Sequence, residues 1–312
     1  MTTTPLRTHA LTQDDALALF LAPPSRHIAI EGGGEVAYRR VGQGPDVLFV
    51  HGWPVSGATF RKLLPYLCEH VTCHIIDLVG AGESRFTAGE TRIDLDHHIA
   101  SVQQVVDALG LEDFSVIGHD SGGLIARHAL GLDERVRSMV LCNTEQSQGL
   151  HWKFRQFLWM ARLPGFGSIL ATLANNALLK RHPMVLGGCF ADDTHLKGPF
   201  DELFLKPLKK DQARRWAATL LARNFDTRRV DALGELHARM QMPVKLAWGE
   251  RDPFFPVDWA REMVETFPMA SIEVIADAQL FVHEERPEDV ARAILPTLLL
   301  DKAAADLTTI AS

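Results

Sequence analysis

Along this chain, short unbroken apolar runs alternate with segments of helical periodicity. Two brief runs, at 28–30 and 36–39, flank EGGGE and predict a hairpin. DVLFV at 46–50 is apolar throughout, and strand character recurs in HIIDLVGAGES, FSVIG and VRSMVLCN. Runs of this kind suit strands buried on both faces. Between them, ATFRKLLPYL and residues 94–109 (DLDHHIASVQQVVDAL) carry helical spacing, the second with Asp94 as its cap. Steady strand–helix alternation predicts the α/β class, with right-handed crossovers and a mostly parallel, twisted sheet.

The alternation stops after about Asn143. Residues 145–235 hold helical stretches such as KFRQFLWMARL and DQARRWAATLLARNF, broken by Pro164-Gly165, Gly187-Gly188 and Gly198-Pro199. Strand pattern returns at PVKLAWGERDP, then a helix to Phe267, SIEVI, and a last helix from about Pro287. The expected organisation is an N-terminal extension (1–25), a core in two pieces (26–144 and 236–300), an inserted helical cap (145–235) and a frayed tail (301–312). The apolar stretch 16–22 follows two aspartates and ends at Pro23-Pro24, so it predicts a short amphipathic helix and not a signal peptide. No apolar stretch approaches the roughly 18–20 residues needed to span a bilayer.

Composition narrows the picture only a little. With 46% hydrophobic and 23% charged residues, a folded core is expected, and a net charge of -7 argues against nucleic acid or an anionic membrane as partner. The scattered cysteines Cys68, Cys73, Cys142 and Cys189 form no CxxC pair, which predicts buried free thiols, no metal site and a reducing compartment, the cytoplasm. No cofactor is implied; the expected partner is a small-molecule substrate.

The chemistry concentrates in VIGHDSGGLIARHAL, residues 116–130. An apolar strand, a tight corner and a helix have the rhythm of a nucleophile elbow, where small residues must stand two before and two after the nucleophile. Gly118 and Gly122 fit Asp120 in that role. Choosing Ser121 would put His119 in the first small position, where its side chain should clash. Asp120 as a plain helix N-cap, and Ser121 as the nucleophile of an ester hydrolase, are the competing readings.

Four motifs in order, HGWP, DLVGAGES, GHDSGG and WGERDPFFP, make residues 26–300 resemble the α/β-hydrolase family, in its aspartate-nucleophile branch of haloalkane dehalogenases, haloacetate dehalogenases and epoxide hydrolases. The resemblance implies an α/β-hydrolase fold and a two-step reaction. The Asp120 carboxylate attacks carbon to form an ester, and a histidine-activated water hydrolyses it. Backbone N–H groups of Trp53 and Ser121 would form the oxyanion hole, and the Trp53 indole could donate to a halide. Asp252 in GERDPF would be the supporting acid, with Glu145 in VLCNTE as the alternative.

The histidine departs from the family pattern. Relatives read Gly-His-Phe at the position where this chain has Gln279, Leu280 and Phe281. The remaining local histidine is His283, three residues on. Either the loop is shifted and His283 serves as base, or it points away and the chain is a catalytically impaired or single-turnover protein. The insert holds no tyrosine to open an epoxide; Trp152 and Trp159 are its pocket candidates. Carbon–halogen cleavage is the leading expectation and epoxide opening the next.

Overall fold

Eight strands form one sheet: β1 (Arg26–Ala29), β2 (Glu35–Gly42), β3 (Asp46–Val50), β4 (Thr72–Asp77), β5 (Phe114–His119), β6 (Val136–Cys142), β7 (Val244–Gly249) and β8 (Ala270–Ile275). The computed structural model describes residues 11–182 and 185–300; the expected frayed tail and the first ten residues of the extension lie outside the described residues. The strand order is β1-β2-β4-β3-β5-β6-β7-β8. β2 runs antiparallel to β1 and β4, and the pairings from β4 through β8 are parallel. β4, β5 and β6 are buried at every position, which is why their sequences run apolar without alternation.

Crossover helices cover the sheet. Leu95–Leu109 starts at Asp94, whose carboxylate accepts from the His97 N–H at 2.9 Å, and ends at Gly110 in the left-handed region. Ser121–Leu130 follows β5, and Pro287–Leu298 packs on β6 and β7. The helix expected over ATFRKLLPYL is instead two short turns, Gly57–Lys62 and Leu64–Leu67. Pro65 lies at the junction; it lacks an N–H and favours a fresh helix start.

Between β6 and β7 the described residues form no strand. Helices Trp152–Ala161, Phe166–Asn175 and Gln212–Arg223 are joined by shorter turns. Asp211 caps the last of these, accepting from the N–H groups of Ala213 and Arg214. This insert lies over the C-terminal ends of the central strands, the edge where open parallel sheets place their ligand crevices.

Candidate active site

The turn after β5 carries Asp120 at φ 51° and ψ -139°, a strained conformation for a residue with a side chain. Close packing enforces it. A Cβ on Gly122 would lie 2.3 Å from the carbonyl oxygens of Val50 and His51, and one on Gly118 would lie 2.6 Å from the Gly123 Cα. The Asp120 N–H donates to the Asn143 carbonyl at 2.9 Å, and the Thr144 hydroxyl donates to the Asp120 carbonyl at 2.8 Å. The corner is therefore welded to the ends of β3 and β6.

Its carboxyl is aimed by backbone donors. Oδ2 accepts from the Trp53 N–H at 2.6 Å, and the Ser121 N–H also favours the charged carboxyl. These are the two groups the sequence pattern offers for an oxyanion hole. The Trp53 indole is committed elsewhere: its Nε1–H donates to the Ala218 carbonyl at 2.8 Å, so it is no halide donor in this arrangement. The Ser121 hydroxyl stands 3.5 Å from Asp120 Oδ2, at the limit of a hydrogen bond.

A cavity of about 200 Å³ opens from Asp120 into the insert. Its floor is Trp53, Pro54, Asp120, Phe254, Phe255, Leu280 and Phe281, and its roof comes from residues between Lys153 and Cys189. The roof side chains are mainly apolar, including Phe157, Met160, Phe166 and Leu173, with Lys153 and Gln156 as polar exceptions. Trp152 and Trp159 are not among them: they face outward, 55% and 61% exposed. The helix period explains the correction. Phe154, Leu158 and Ala161 point to the core, so positions 152, 155, 159 and 162 fall on the opposite face.

Leu280 sits in the cavity wall, 7% exposed, where relatives place the base. His283 is elsewhere. Its Nε2 is 2.8 Å from the Thr59 hydroxyl, and its ring packs against Phe60 and His119. Burial and the neighbouring His119 hold its imidazole well below the usual range, so it is neutral. The loop is not shifted to bring it in: the Leu280 carbonyl accepts from His119 Nε2 at 3.0 Å, and Arg61 pairs with the next residue, Glu284, through Nη2–Oε2 at 2.9 Å. Among the described residues, no histidine lines the cavity.

Asp252 is prepared for a partner it does not meet. Oδ2 accepts from Asn143 Nδ2 at 2.6 Å, and Oδ1 accepts from the N–H groups of Phe254 and Phe255 at 2.8 and 3.1 Å. Burial nevertheless pushes its carboxyl up to about 7, against those three donors. Glu145 is also buried and raised for the same reason, with Thr144 and Arg127 opposing. Asp120 is raised well above the usual carboxylate range, first by burial and then by Glu145, while the Trp53 and Ser121 N–H groups pull the other way. Both candidate acids thus act on Asp120 electrostatically. The motif reading missed Asn143, Arg127 and Thr144; the run CNTE directly after β6 was the available signal.

Residues 45–287 match the α/β hydrolase fold family. Among curated proteins, the chain is 23% identical to cis-3-alkyl-4-alkyloxetan-2-one decarboxylase of Shewanella oneidensis, over 86% of this chain and 87% of that protein. It is 26% identical to haloalkane dehalogenase 2 of Mycobacterium tuberculosis, over 84% and 91%. It is also 26% identical to epoxide hydrolase 3 of Siraitia grosvenorii, over 85% and 95%. With the sheet order, the elbow and the family match in agreement, the chain belongs to the α/β-hydrolase family, as an enzyme resembling dehalogenases and epoxide hydrolases.

Proposed function

We propose that Asp120 is a nucleophile toward a saturated carbon of an elongated apolar electrophile, forming an aspartyl ester and expelling a halide or a ring oxygen. One observation carries this reading: a strained elbow carboxyl, with Oδ2 held by the Trp53 backbone N–H, facing an apolar cavity. Carbon–halogen cleavage is the first assignment, because a halide leaves without a proton donor and the cavity offers no tyrosine. Hydrolysis of the ester has no histidine to activate water, so the adduct should persist. Intact-mass measurement after incubation with a 1-bromoalkane tests this. Wild type and Ser121→Ala should gain one alkyl group on Asp120, and Asp120→Asn should gain none. Halide release by Asp120→Asn at the wild-type rate would overturn it.

The missing base favours a second reading. The Shewanella oneidensis relative acts on cis-3-alkyl-4-alkyloxetan-2-ones, and a β-lactone needs no water after attack. Asp120 would bond to C4 while the C4–O bond breaks, freeing the ring carboxylate. Loss of CO₂ would then form the C3–C4 double bond and expel the Asp120 carboxylate. Alkene release from such a lactone, with no heavy oxygen taken up from labelled water, would select this route; a stable adduct would exclude it.

A further inference from the structure

From Gln146 to Ala191 the chain contains no aspartate or glutamate, while Lys153, Arg155, Arg162, Lys180 and Arg181 are all basic; the whole chain has a net charge of -7. Six of the ten exposed large apolar side chains among the described residues also fall in this stretch: Trp152, Trp159, Leu163, Ile169, Leu178 and Leu179. Leu178 is 80% exposed. Trp152 and Trp159 are seven residues apart on one helix, so they share its outer face with Arg155 and Arg162. Those two arginines are exposed, and neither forms an ion pair among the described residues. Lys180 and Arg181 are tied to Asp201 and Asp193.

We infer that this outer face of the insert docks on an anionic lipid surface. Exposed indoles and arginines without an ion pair share one helix face in a stretch without acids, which suits adsorption at headgroup level: indoles favour that boundary and arginines meet anionic headgroups. The charge separation selects an anionic bilayer over a neutral apolar partner. No single described helix is long and apolar enough to cross a membrane; Trp152–Ala161 and Phe166–Asn175 are so only as a pair, bent by 117°. The contact inferred is at the surface. Leu163 and Ile169, 39% and 51% exposed, also line the Asp120 cavity, so the cavity reaches the exposed surface of the same acid-free stretch. An apolar substrate can enter from the lipid side. That last step rests on the cavity being the substrate site; the docking does not.

Flotation of the full chain with phosphatidylcholine vesicles, with and without phosphatidylglycerol, tests this. The chain should float with the phosphatidylglycerol vesicles and be released by salt. Each arginine near an anionic surface contributes about fivefold in affinity, so Arg155→Glu with Arg162→Glu should weaken binding by more than about twentyfold. Trp152→Ser with Trp159→Ser should also lose binding, while Leu132→Ser, an exposed leucine outside the segment, should float as wild type. These positions are exposed, and circular dichroism checks that the variants keep the fold. Asp120→Asn should float normally, which separates failure of docking from failure of the chemistry. Absence of flotation, equal binding to both vesicle types, or binding indifferent to the tryptophan and arginine changes would each overturn the inference. So would a dimer that the tryptophan changes dissociate in a chain that does not float, which would assign the face to a second copy.

Discussion

At position 280 a leucine shares the cavity wall with Asp120, on which the buried carboxyl of Asp252 acts electrostatically. Leu280→His would put an imidazole in that wall, with Asp252 as the carboxyl to orient it. Multiple turnover of a bromoalkane should rise by on the order of 10²–10⁴, the usual range for a general base, and the trapped adduct should disappear. A Leu280→His variant that traps the adduct as wild type does would show that Asp252 cannot serve an imidazole there. His283→Ala should leave adduct formation intact, because its ring packs against Thr59, Phe60 and His119 outside the cavity. Asp120 must be ionised to attack, and its carboxyl is raised. On the proposed route, the alkylation rate measured by mass should therefore increase with pH beyond the usual carboxylate range, and Glu145→Gln should move that rise to lower pH.

Among the elements, the elbow and its strands were readable from sequence and the base loop was only half so. DVLFV, FSVIG and VRSMVLC became strands because unbroken apolar runs have no alternative to double-sided burial. The glycine spacing around Asp120 was equally legible, since the corner tolerates no Cβ at 118 or 122. Gly122→Ala should accordingly destabilise the fold by about 3 kcal/mol or more, seen as a thermal midpoint lowered by several degrees. The fate of His283 was not legible. It depends on contacts made across the fold: Thr59 is 224 residues away in sequence, and the Arg61–Glu284 pair spans 223. Arg61→Ala should strand a buried carboxylate and cost about 3–5 kcal/mol in denaturant unfolding. The outward turn of Trp152 and Trp159 could have been read from the period of WKFRQFLWMA, had Phe154 and Leu158 been placed inside first. The average charge of the chain, in turn, concealed an acid-free stretch printed plainly in the sequence.

For the whole molecule, buried ionisable groups set a stability optimum. His98 and His119 are pushed to about 3 and His237 to about 2 by burial, from an unfolded value near 6.5. The unfolded chain therefore binds more protons as pH falls below 6.5, and stability is lost toward acid, by about 1.4 kcal/mol per pH unit for each such histidine. Asp252, raised to about 7, and Asp120, also raised by burial, act in the opposite sense. There the folded chain holds more protons, so stability also falls as pH rises through 7. The thermal midpoint should peak between about pH 6 and 7; a midpoint still rising at pH 8 would contradict these assignments. The two sides of the cavity differ in a further respect. Its floor gathers Trp53, Asp120, Phe255 and Leu280 from four separated loops, whereas its roof is drawn from one contiguous run between Lys153 and Cys189. A floor assembled that way cannot be exchanged in one piece, but a contiguous roof can be transplanted as a cassette. Substrate preference can thus be inherited, lost or regrafted as a unit while the reacting groups stay as they are.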